Sequence, residues 1–96
     1  MKLESWPFDQ PPHCAVVTIK KIISCELPIL FVSHDEDDHG WQFLSGELLS
    51  REHASVVALN EIVELDPNIL KLADMPVGWV ARRPSASAGW ERKTRR

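Results

Sequence analysis

Ninety-six residues with 44% hydrophobic side chains suffice for one modest core and leave no room for two. The net charge of −3 conceals a division: residues 1–74 carry 5 basic and 13 acidic side chains, residues 75–96 carry 6 basic and 1 acidic. An acidic body argues against nucleic acid as the main partner, because phosphate contacts dominate that affinity, and suits a basic protein partner.

The first residues lack the apolar segment of a signal peptide, and no run is long enough to span a bilayer. No membrane partner is expected, and the cytoplasm is the expected address. Cys14 and Cys25 should be reduced there, as core residues or inert thiols rather than a bridge.

Residues 1–13 hold Trp6-Pro7-Phe8 and Pro11-Pro12, which block regular structure and predict an extended, Pro-rich arm pinned by its aromatic rings. A single α+β domain over 14–93 and a basic tail at 94–96 complete the expected organisation. Cys14 to Ile19 reads as a first strand, and Lys20-Lys21-Ile22-Ile23 as a helical turn or a bend. Leu27-Pro28 launches a second strand, the apolar run Ile29 to Val32, with the composition of a strand buried on both faces. Burying Asp35 to Asp38 would desolvate four carboxylates together, so the chain must turn into water there. Gly40 is the expected point of re-entry. Trp41, Phe43 and Ser45 then alternate with Gln42, Leu44 and Gly46, as a strand with one aromatic face. The whole stretch is an antiparallel hairpin with its loop near residues 35–40.

Ser50 could cap a short helix, with Glu52 in its first turn. Val56, Leu59, Ile62 and Val63 recur at helical spacing and predict a helix over 56–65, although Val56-Val57 could instead begin a strand. Asp66-Pro67 is an N-cap followed by a proline in the first turn, and Ile69, Leu70, Leu72 and Ala73 supply the stripe of a second helix that stops at Met75-Pro76. Two late strands, Gly78 to Arg83 and Gly89 to Lys93, are joined by the small-residue loop 84–88. The expected fold class is α+β: a small, mainly antiparallel sheet of about four to five strands with two or three short helices on one face.

No catalytic constellation emerges. Asp35, Asp37, His39 and Gly40 imitate the start of a calcium loop, but the twelfth position is Gly46, with Glu47 one residue late, and the flanks are strand-like. His34, Asp35, Asp37 and His39 remain as weak metal candidates. His34-Asp35 lacks the additional ligands of a metal-dependent phosphohydrolase, and Cys14 and Cys25 lack the short spacing of a zinc site. Neither a nucleophile elbow nor a phosphate-cradling glycine loop is present, and no cofactor is expected. The pairs Gly40-Trp41, Gly78-Trp79 and Gly89-Trp90 each open a predicted strand. Their rings either fill the core or form an aromatic patch beside the acidic loop. On the second reading, Asp35, Glu36, Asp37, Asp38, Trp41, Trp79 and Trp90 form a partner-binding surface.

The order of a strand ending Val-Thr, Pro28-Ile29-Leu30-Phe31-Val32, an acidic loop, Gly40-Trp41-x-Phe43-x-Ser45-Gly46, Asp66-Pro67 and Pro76-Val77-Gly78 resembles a small bacterial family. That family is grouped with predicted immunity proteins of polymorphic toxin systems (the immunity protein thirty-three type). The resemblance spans about residues 14–83, and Asp38-His39 stands where the family has Asp-Ser before Gly-Trp. It implies a non-enzymatic domain that binds and neutralises a cognate toxin. The competing expectations are a small metal-binding or metal-dependent domain at the His34–His39 loop, and a structural homodimer built on a strand edge or on the Trp79–Trp90 hairpin.

Overall fold

The computed structural model describes residues 6–46 and 54–94. Among these residues six strands form one mixed sheet: β1 (Ala15–Ile19), β2 (Phe31–His34), β3 (Trp41–Leu44), β4 (Ala54–Ala58), β5 (Trp79–Arg82) and β6 (Glu91–Thr94). Their spatial order is β4-β1-β3-β2-β5-β6, antiparallel throughout except for the β1–β3 pair. Among the described residues, three short helical pieces accompany the sheet: α1 (Lys20–Ile23), α2 (Leu59–Leu65) and a 3-10 helix (Pro67–Leu72). The fold is the α+β class that the sequence implies.

Alternation along the strands divides the sheet into two faces. Val16, Val32, Trp41, Phe43 and Ala81 point to one side, where Ile22, Leu59, Ile62, Val63, Ile69, Leu72 and Met75 of the helical layer complete the main core. Phe8 joins that core from the arm, with Trp6 packed against it. On the other side Phe31, Leu44 and Val80 make a smaller cluster with Ile19. All four residues of β2 are buried, as its apolar run requires of a central strand.

The helix expected over 56–65 is a correction. Residues 54–58 form β4, paired along their whole length with β1, and the helix begins only at Leu59. Leu59, Ile62 and Val63 do face the core, but Val56 is 68% exposed on the opposite side of the sheet. Five paired residues with two adjacent β-branched side chains favour the strand, and their coincidence with helical spacing carries no weight once β1 is alongside. The helix expected from Ser50 lies outside the described residues. Cys14 is half-buried and Cys25 exposed; the two are unbridged, and neither is a core residue. β6 runs through Thr94, which pairs with Trp79, so the sheet claims the first residue assigned to the tail.

The end of the molecule remote from the hairpin loop is tied by one buried cation. Arg83 is 4% exposed. Its Nε donates to Ile29 O at 2.9 Å, one terminal nitrogen donates to Ala86 O at 3.0 Å, and the other to the Asp66 carboxylate. The same guanidinium lies 4.2 Å over the Trp90 ring. Asp66 also caps the 3-10 helix, accepting from Asn68 N–H at 3.0 Å. Arg92 ties β6 to the helical layer through Lys71 O and, at 2.8 Å, Asp74. The hydrogen bond from Arg92, and then its charge, hold the exposed Asp74 carboxyl below its ordinary range.

Candidate functional site

The β2–β3 hairpin carries the acidic loop. His34 pairs with Trp41, and one further bond, Asp35 N–H to Gly40 O at 2.8 Å, extends the ladder to the edge of the loop. Gly40 N–H donates to Asp38 Oδ1 at 2.8 Å, the Asx-turn geometry that aspartate favours. The left-handed residue is His39, at φ 57°, and not the expected Gly40. Gly40 is needed for close approach instead: a Cβ there would lie 2.8 Å from Asp38 Oδ1.

Gln10 and Gly78, both from outside the hairpin, bond to its loop end. Gln10 of the arm donates to His39 O at 3.0 Å and accepts from Trp41 Nε1 at 3.1 Å. Trp6 Nε1 in turn donates to Gln10 O at 2.7 Å, anchoring the glutamine backbone. From the other flank, Gly78 N–H donates to His34 O at 2.6 Å. Gly78 sits at φ 82°, with the Glu36 side chain folded over it so closely that a Cβ would lie 2.6 Å from Glu36 Oε1. Between the loop, Gln42 and Gly78 lies an open cleft of about 570 Å³ lined by His34, Asp35, Glu36, Asp37 and Asp38, with no lysine or arginine in its wall. Gln42 Nε2 donates to Asp35 Oδ2 at 2.8 Å, which orients one of the four carboxylates. Glu36, Asp37 and Asp38 are exposed and Asp35 is half-buried.

Gly78→Ala tests this flank. Forcing an L side chain into the left-handed region costs about 1–2 kcal/mol, and Glu36 must also swing away. The urea midpoint is expected to fall in both backgrounds, but less when Glu36 is already alanine. An equal fall in the two backgrounds would mean that Glu36 does not rest on Gly78.

The tryptophans do not form one patch. Trp41 is 2% exposed, stacked on His34 at 4.0 Å between ring centroids and on Phe43 at 6.0 Å, with Phe8 edge-on at 5.3 Å. It is a core residue beneath the loop and cannot itself face a partner. Trp79 is half-buried beside His34, at the loop end of β5. Trp90 is half-buried at the opposite end of the β5–β6 ladder, under Arg83, far from the carboxylates.

The weak metal candidates are also not brought together. His34 lines the acidic cleft, but its Nδ1–H donates to Met75 O at 2.7 Å and its Nε2 is buried. Among the described residues, no group of three His, Cys, Asp or Glu side chains is placed to share a metal ion. No helix among them is long and apolar enough to cross a membrane.

Comparison with family models, with curated proteins and with solved structures finds no match to this chain. The functional reading therefore rests on the residues and their geometry. Sequence reasoning located the acidic loop but missed Gln10, a single polar side chain on an arm with no periodic pattern. Its only signal was its place between Phe8 and Pro11-Pro12, in a segment already expected to lie against the body.

Proposed function

We propose that the chain is a non-enzymatic protein-binding module of the bacterial, cytoplasmic immunity type, whose acidic hairpin tip receives a basic surface of a toxin. The observation that carries this reading is the tip itself. Exposed carboxylates of Glu36, Asp37 and Asp38 crown a loop held from both flanks by Gln10 and Gly78. A loop already fixed loses little conformational entropy on binding, so more of the charge attraction survives as affinity. The long-range field of an acidic body adds steering, which raises association rates and weakens with salt. The resemblance of residues 14–83 to the immunity family points to the same class of partner.

The kinetic signature is specific. Against a basic partner, reversing Asp37 and Asp38 to lysine is expected to slow association about tenfold or more and to flatten its salt dependence. Stopped-flow or surface-based kinetics at several ionic strengths would show it. An association rate unchanged by the reversal would remove the loop from the interface.

A further inference from the structure

The two edges of the sheet are built differently. β6 closes one edge with Glu91-Arg92-Lys93, a run of charges that discourages another strand from pairing there. β4 closes the other with Ala54-Ser55-Val56-Val57-Ala58, which has neither charge nor proline. Leu59 N–H donates to Cys14 O at 2.8 Å, whereas Ala58 N–H turns outward to the Glu61 carboxylate at 2.8 Å. Antiparallel alternation then directs the backbone of Ser55 and Val57 toward β1, and that of Ala54, Val56 and Ala58 off the edge. No described residue bonds the outward Val56 N–H or C=O, and its side chain is 68% exposed.

We infer that this edge pairs with a second copy of the chain, β4 against β4 about a two-fold axis at Val56. In that register Val56 of each copy exchanges both backbone bonds with its equivalent, and the two sheets become one. The alternation that leaves Val56 exposed sets the two valine side chains together on one face. The charges agree with the same axis. Lys20 and Lys21 follow Ile19, the partner of Ala54, at one end of β4, while Glu61 and Glu64 lie beyond Ala58 at the other. An antiparallel two-fold sets the lysine end of each copy against the glutamate end of the other. A closed, self-complementary contact of this kind makes a dimer and stops there. The acidic loop lies two strands in from this edge, so pairing leaves it open on both copies.

Sedimentation velocity of the full chain over a concentration series tests the inference. A reversible monomer–dimer equilibrium is expected, and V56K, which puts like charges directly opposite one another, should raise the dimer dissociation constant at least about tenfold. At concentrations where both proteins are monomeric, its urea midpoint should lie close to the wild type's, because the side chain it replaces is exposed. K20E/K21E should weaken the dimer as well, and adding E64K should restore part of the loss. A monomer at every concentration up to the millimolar range would overturn the proposal. So would a dimer whose constant is unmoved by V56K and by K20E/K21E.

Discussion

Arg83→Ala is expected to leave the domain at the margin of folding, with stability lower by about 3–5 kcal/mol, the cost of removing one partner of a buried ion pair. A domain of this size holds only about 5–10 kcal/mol in total. The substitution strips Ile29 O, Ala86 O and the Asp66 carboxylate of their donor and uncovers the Trp90 ring. Arg83→Lys is the informative companion. It keeps the charge but loses the planar fork that reaches three acceptors in three directions, so most of the penalty should remain. Asp66→Asn, by contrast, keeps a side-chain oxygen for the Asn68 N–H and should cost less than Arg83→Ala. Urea unfolding of the three variants ranks them. A fully rescued lysine variant would mean that charge alone, and not the fork, holds this end together.

The second large effect is expected at Trp41. Trp41→Ala should cost about 3–5 kcal/mol through the cavity it opens. His34 and Phe43 lose a stacked neighbour, and Gln10 loses a donor. Trp41→Phe separates core from clamp. It retains an aromatic ring but not Nε1–H, so stability should fall by less while the hold of Gln10 on the loop loosens. Faster amide exchange at Asp35 and Gly40 than in the wild type, with global stability largely kept, is the expected result. Unchanged exchange at both amides would mean that the arm does not fix the tip.

Local patterns in the sequence were sufficient where a residue's neighbours in space are its neighbours in the chain. The hairpin was legible because an apolar run, four carboxylates and a second apolar run permit few other arrangements. The cap and turn at Asp66-Pro67 were legible for the same reason. Non-local choices were hidden. Val56, Leu59, Ile62 and Val63 fit a helix as a pattern, and only the pairing of residues 54–58 with β1 decides for a strand. The parallel β1–β3 contact, which places a later strand between two earlier ones, leaves no local trace. Arg83 was legible as the end of the strand expected over Gly78 to Arg83, but nothing in that stretch shows that its acceptors come from Ile29, Asp66 and Ala86. The division of labour at Gly40 was hidden too. A glycine beside a turn suggests backbone freedom, but the left-handed residue is His39, and Gly40 makes space for Asp38.

The central claim is that the acidic tip selects a basic protein partner, and paired capture tests it most directly. Wild-type protein and the D37K/D38K variant, tagged identically, would be expressed in the native host with the neighbouring genes and purified side by side at physiological salt. One stoichiometric basic protein retained by the wild type, released at high salt and absent from the variant is the predicted result. Equal recovery of the same partner by both baits would contradict the account.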